Sequence, residues 1–494
     1  MTAAARRIVL IGATAAALLP ASSASAAEAV TVGGLSYVNH GLVGVGRIPG
    51  ETRDRFGETF GSGSGLAVDL ATWRRTADDY RGTFYMLPDR GYNIGGTFDY
   101  RARLNRLEIV FNPPGDPSLL PVEARQQSIV ATLVDTIPLT DHAGAPLTGL
   151  DPTDVRPAAD GFPPLPQAAN GLVSIDAEAL VRLADGSFFI GDEYGPYIYR
   201  FSATGRMLSA IRPPEALIPK RQGGDHFSSN NPGPGASPPE PRKPEAGRSN
   251  NQGFEGLALA PGGKFLVAAL QSATRQDSEG WRSREFTRLL YFDLALDPGQ
   301  PRLVREYVVR LPVFAGADGE RQVAAQSELV ALDETRFLLL CRDSGNGYGA
   351  AGAASLYRKI EVLDVSQATD IAGTEYDGAT PLAPGGRLAD GIVPATLTPF
   401  IDVNDGAQLA AYGLHNGVPN GRNNLSEKWE GMALVPALDP VNPRDYYLFV
   451  SNDNDFITQN GYQVGAAYKD KSGVDVDTLI LVYRLTLPEF TGHR

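Results

Sequence analysis

Asn251-Gln252-Gly253-Phe254-Glu255-Gly256-Leu257-Ala258-Leu259 runs through Pro261-Gly262-Gly263 into Lys264-Phe265-Leu266-Val267-Ala268-Ala269-Leu270-Gln271. A carboxylate enters a short apolar run, a Pro-Gly-Gly turn follows, and a second apolar run returns. Runs of this length between turn residues read as paired strands, not as a helix. The pattern recurs. Asp176-Ala177-Glu178-Ala179-Leu180-Val181 leads to Ser187-Phe188-Phe189-Ile190-Gly191-Asp192-Glu193, and Gln326-Ser327-Glu328-Leu329-Val330-Ala331 leads to Phe337-Leu338-Leu339-Leu340-Cys341-Arg342-Asp343. Trp429-Glu430-Gly431-Met432-Ala433-Leu434 leads to Tyr446-Tyr447-Leu448-Phe449-Val450-Ser451-Asn452-Asp453, and a copy without the Glu runs from Ser64-Gly65-Leu66 to Asp89-Arg90-Gly91.

From Glu to Glu the steps are 77, 73 and 102 residues. Third strands follow at Tyr197–Phe201, Leu289–Leu294, Ile360–Val365 and Leu479–Leu485, and no segment carries a convincing helical period. Units of three or four antiparallel strands at this spacing predict an all-β protein, a β-propeller with five detectable blades. A sixth, degenerate blade has room in the long spacers. The strands within Val30–Gly46 are expected to pair with Leu479–Leu487 and close the ring, which removes open sheet edges.

Outside the repeats, residues 1–27 read as a secretory signal peptide: Arg6-Arg7, a short apolar core from Ile8 to Leu19, and Ala24-Ser25-Ala26 as a cleavage site. No later stretch has the run of uncharged apolar residues that a membrane span needs. Residues 28–494 are then one domain, exported to a periplasmic or extracellular space, with insertions near 112–171 and 219–250. The second insertion, rich in Pro and Gly, is expected to be a surface loop without packed elements that brings Arg248 and Asn250 to the mouth beside Glu255. Ser344–Ala354 reads as another flexible loop. A single cysteine, Cys341, excludes an internal disulfide, and a net charge of −13 without basic runs excludes nucleic acid as an expected partner.

A residue at one place in every repeat of a propeller forms a ring around its axis. Glu178, Glu255, Glu328 and Glu430 are therefore expected to converge, and crowded carboxylates need protons or a cation. An oxygen-only set, with Asn452 and Asp453 added from the second strands, suits a hard cation, Ca²⁺ above all. The competing reading is a ring that only hydrogen-bonds neighbouring repeats. Arg90 and Arg342 stand beside motif aspartates and could hold an anion or form salt bridges between repeats. Asp192 and Glu193 are the candidate catalytic bases. Asp89, Arg248, Asn251 and Asp343 are candidates to hold a substrate. Other hydrolytic machinery is missing: there is no Gly-x-Ser-x-Gly elbow, and the five histidines have no zinc spacing.

Gly191-Asp192-Glu193-Tyr194-Gly195-Pro196, Gly253-Phe254-Glu255-Gly256-Leu257 and Ser451-Asn452-Asp453-Asn454-Asp455-Phe456, with Asp89-Arg90-Gly91 and Ser327-Glu328-Leu329, resemble the phytase-like family known as esterase-like activity of phytase. The resemblance spans roughly Phe60 to Leu487. It implies a propeller, and an activity on phosphate esters or carboxyl esters. Cys341 departs from it, standing where a further acidic residue is expected. The expected function is thus a metal-assisted hydrolase of a small ester or phosphoester. A non-catalytic propeller that binds a ligand, glycan or protein is the alternative, for which Tyr92, Tyr194, Phe254 and Trp429 would supply an aromatic mouth.

Overall fold

The computed structural model describes residues 27–295, 299–343 and 354–488. The expected signal peptide and the loop at Ser344 fall almost wholly outside them. The fold is all-β, mostly strands with few and short helices. Three of its sheets are antiparallel and four-stranded: Ala177–Arg182 with Phe188–Asp192, Ile198–Phe201 and Met207–Ile211; Phe254–Leu259 with Phe265–Leu270, Phe286–Asp293 and Arg302–Arg310; and Ala325–Ala331 with Arg336–Arg342, Arg358–Asp364 and Thr396–Asp402.

A longer sheet holds two more such runs. Gly65–Arg75, Tyr80–Leu87, Arg103–Phe111 and Ile129–Pro138 form one. Trp429–Pro436, Asp445–Asn452, Thr478–Thr486 and the N-terminal Leu35–Ile48 form the other. A single parallel bridge, Gly46 to Ile129, joins the two. Leu35–Ile48 lies antiparallel to Thr478–Thr486, with Val38 opposite Thr486 and Ile48 opposite Thr478, so both ends of the chain share one sheet.

The first strands touch in a closed cycle. Gly65–Arg75 meets Ala177–Arg182, then Phe254–Leu259, Ala325–Ala331 and Trp429–Pro436 follow in turn, and the last meets the first. The core is correspondingly divided, with a separate apolar cluster between each neighbouring pair of sheets. Strands covered on both faces must be apolar on both. Phe265–Leu270 shows this, since Phe265, Leu266, Val267, Ala268, Ala269 and Leu270 are all buried. Close approach sets the glycines of the opening motif. A Cβ on Gly253 would lie 2.4 Å from Glu193 Cα, and Gly262 and Gly263 turn at φ +86° and +72°.

The 219–250 insertion is ordered around two buried charges, contrary to the expectation of a loop without packing. Arg221 donates to the carbonyls of Pro241, His226, Ser228 and Arg242 and to Asn250 Oδ1. Asp151 accepts from Ser228 Oγ, from Ser229 N and Oγ, and from Asn231 N. A segment too poor in apolar side chains to build a core is held by charge-assisted hydrogen bonds instead.

Candidate functional site

Four of the five first strands bear a β-bulge near their start, and the bulges decide which side chains face the centre; in Gly65–Arg75 the irregularity lies further on, between Asp69 and Arg74. In Phe254–Leu259 the residue left over between the pairs Phe254–Leu270 and Gly256–Ala269 is Glu255. In Trp429–Pro436 it is Glu430, and Glu178 occupies the irregular stretch between Ala177 and Leu180. In Ala325–Ala331 it is Ser327, not Glu328.

Glu328 is therefore displaced by one residue from the place that the spacing assigned to it. Along a strand a one-residue shift exchanges faces. The carboxylate accepts the backbone N–H groups of Leu329, at 2.7 Å, and of Leu257, at 3.4 Å, and Met432 adds a third from the neighbouring strand. Burial, and then the Glu430 carboxylate, push its pKa well up while these donors hold it down.

Glu178, Glu255 and Glu430 do come together, and Asp176 and Glu193 join them. Burial raises the pKa of Glu178 far above the carboxylate range, and Asp176, Glu255, Glu430 and Glu193 raise it further. Glu255 is raised by burial and then by Glu430 and Glu193. Among the described residues, several oxygens here are buried without a hydrogen-bond partner: Asp176 Oδ1, Glu178 Oε2, both of Glu193, Glu255 Oε2 and Glu430 Oε2. Buried polar atoms in folded proteins are nearly always satisfied. Five orphaned carboxylates around one space are a demand for positive charge.

Part of that demand is met by the chain. Arg90 pairs with Asp176 at 2.6 Å, donates to Asn251 Oδ1 and lies 5.8 Å from the Tyr194 ring centre. Arg342 pairs with Glu430, and Gln271 donates to Glu255. Lys428 lies 2.8 Å from both Asp453 and Asp455 and 4.0 Å from Asp89. Two groups of oxygens are close enough to share an ion, lying within 4.8 Å of one another: Asp89, Asp176 and Glu178, and Asp89, Asp453 and Asp455. Lys428 already serves the second group. The first contains orphaned oxygens, those of Asp176 and Glu178, although Asp89 accepts from Gly91 N and Arg90 pairs with Asp176.

The remaining candidates divide between site and scaffold. Asp192 accepts from Asp176 N, Tyr194 N, Gly195 N and Tyr199 Oη, so its oxygens hold the turn that carries Glu193. Burial pushes it up to about 7. Glu193, next in sequence, has no partner and is pushed up to about 8 by burial and by Asp176. Arg248 donates to the carbonyls of Tyr194, Ser249 and Phe227 and straps the insertion down. Asp343 accepts from Ser355 Oγ and Leu356 N. Asn452 donates to Ser426 Oγ, while Cys341 is fully buried in the apolar cluster between sheets. Of the aromatic residues, Tyr194, Phe254 and Trp429 are buried, and Tyr92 stacks on Tyr468. Sequence reasoning missed Asp176 and Lys428 as site residues. Each stands two places before a motif Glu, the signal that would have found them.

A family model for phytase-like domains, described as esterase-like activity of phytase, matches residues 59–456. The chain belongs to this phytase-like family. Every candidate site residue named above lies in the matched span. A relative from Arthroderma benhamiae, described as an uncharacterized secreted protein, is 38% identical over 468 residues, covering 87% of this chain and 89% of its own. Among the described residues no helix is long and apolar enough to cross a membrane. Solved structures similar to this phytase-like chain include a luciferin-regenerating enzyme, 11% identical with a TM-score of 0.28, over 91% of this chain and 98% of that one. The Malassezia sympodialis allergen Mala s 1 is 10% identical with a TM-score of 0.32, over 92% and 91%.

Proposed function

We propose that this phytase-like chain is an exported, metal-assisted hydrolase of small phosphate esters or carboxyl esters. On this reading it is a five-bladed propeller whose reaction takes place where the first strands converge. The observation that carries the proposal is the group of buried, orphaned oxygens of Asp176, Glu178, Glu193, Glu255 and Glu430. An architectural ring would satisfy its own members. Asp89, Asp176 and Glu178 would hold the cation, with Ca²⁺ first because the donors are all oxygens. When bound, such a cation offsets the carboxylate charge and polarises a substrate oxygen.

The chain's own residues divide the remaining work. Glu193, raised to about 8 in the cation-free protein, would serve as an acid that gives its proton to a leaving oxygen, in place of the base expected from the sequence. Arg90 and Arg342 are tied to Asp176 and Glu430, so they fix the carboxylates and also bring positive charge to the space an anionic substrate would enter. Asp192 fixes the backbone around Glu193 through its three N–H bonds.

A panel of phytate, aryl phosphates and aryl acetates, run with Ca²⁺ and with chelator, tests this. Hydrolysis of at least one class is expected, dependent on Ca²⁺. Glu193→Gln should lower it by about 10²-fold or more and remove the alkaline limb of the pH profile. A panel inert under every condition would leave a binding propeller as the better account.

A further inference from the structure

Ser249 and Asn250, just before the opening motif, border a cleft of about 290 Å³ whose chemistry is the reverse of the carboxylate group's. Lys243, Arg275 and Arg284 line it with Ser249, Ser278 and Trp281 and without a carboxylate, while on their other side Trp281 and Arg284 border a second cleft that Asp318 and Asp343 line. In a chain of net charge −13 this is a local excess of positive charge. Among the described residues, the two guanidiniums bond to uncharged groups, and no carboxylate acts on Arg284. Arg275 Nε donates to the Pro244 carbonyl at 3.2 Å, and Arg284 Nη1 to Gln252 Oε1 at 2.9 Å.

Arg284 is the informative member. It is 5% exposed, and among the described residues its Nε has no hydrogen-bond partner. A buried guanidinium without a counter-ion is costly, and an anion arriving in the cleft relieves that cost. The positive charge of Arg342 is near enough to act on it: burial, then Arg342, push Arg284 down to about 9. The cleft is joined to the opening motif by the bond from Arg284 to Gln252, three residues before Glu255.

The second informative member is Trp281. Arg284 lies 3.5 Å from its ring centre, and the indole is nevertheless 57% exposed. Trp73 and Trp429, the other two tryptophans, are buried. An exposed indole fixed by a guanidinium offers a flat surface on which another ring can stack.

We propose that this cleft is a binding subsite for an oxyanion carried on a planar ring, such as an aryl phosphate, sulfate or carboxylate. The charged group lies among Lys243, Arg275 and Arg284, and the ring lies on Trp281. The subsite needs no cation and no turnover, so it stands or falls separately from the hydrolase reading.

Phenylphosphonate, which cannot be hydrolysed as an ester, is the probe, added to full-length mature protein in chelator. Saturable quenching of tryptophan emission is expected, with the signal lost in Trp281→Phe. The double variant Lys243→Ala, Arg275→Ala changes only exposed or half-buried side chains, and should weaken binding measured by calorimetry about tenfold or more. Inorganic phosphate should bind more weakly than phenylphosphonate. No saturable binding, or binding unchanged in the double variant, overturns the subsite. Inorganic phosphate binding as tightly as the aryl compound overturns the role of the ring.

Discussion

Glu178 and Glu328 are the same amino acid in the same kind of strand, and what answers their charge separates them. Glu328 is met by backbone N–H groups from its own and a neighbouring strand, whereas Glu178 faces other carboxylates and keeps one oxygen orphaned. Substituting each by Gln should therefore give opposite readouts. Glu178→Gln should remove most of the Ca²⁺-induced rise in melting temperature. Glu328→Gln keeps the one oxygen that accepts from both Leu329 and Leu257, so it should change the melting temperature little and leave the Ca²⁺-induced rise intact. Equal loss of that rise in both variants would return Glu328 to the ligand set. Residue identity made the ring legible: three of its four expected glutamates meet. What was not legible was the register within each strand, since a bulge inserts a residue without changing the apolar pattern. Asp192 and Glu193 show the same limit. They are adjacent acids, and only the fold shows that one secures a turn while the other is left without a partner.

Strands and insertions were legible to different degrees, for a physical reason. A strand buried on both faces must be apolar throughout, so Phe265–Leu270 and Arg336–Arg342 announce themselves, and Leu35–Ile48 pairs with the C-terminal strand as its position suggested. The 219–250 insertion has few apolar residues and so gave no sign of order. Its organisation lies in single long-range polar contacts, such as Asp151 to Ser228, which no local pattern encodes. Arg221 carries much of that order, and this can be tested at the scale of the element. Arg221→Met removes a buried donor set that serves four carbonyls and Asn250. Unsatisfied buried acceptors cost about 1–3 kcal/mol each, less what water recovers. The insertion should open locally while the sheets persist. Limited proteolysis should cut within 219–250 in the variant and spare the parent, with strand content by circular dichroism unchanged. Cleavage at the same rate in both would show that the loop is held by something other than Arg221.

For the whole molecule, the ring couples proton binding, cation binding and stability. Burial raises Glu193 to about 8, and Asp192 and Asp453 to about 7. In the unfolded chain such groups titrate near 4. Between those limits the folded state holds more protons than the unfolded state, so stability falls as pH rises from about 4 to about 8. A cation reverses the trend. It binds the deprotonated carboxylates, so its affinity rises over the same window in which the cation-free protein weakens. At a hundredfold excess over Kd, binding to the native state alone contributes about 2.7 kcal/mol. In a chain of this size that corresponds to a rise in melting temperature of roughly two degrees or more. In chelator, the melting temperature should be higher at about pH 5 than at about pH 8. With saturating Ca²⁺ the difference should shrink, and the Ca²⁺-induced rise should be larger at the higher pH. Carboxylates stabilised by their own ion pairs lose that support only at lower pH, so the comparison stays above about pH 5. A Ca²⁺ effect that is absent, or equal at both pH values, would mean that protons and the chain's own Arg90, Arg342 and Lys428 already satisfy the ring. The orphaned oxygens would then owe nothing to a metal.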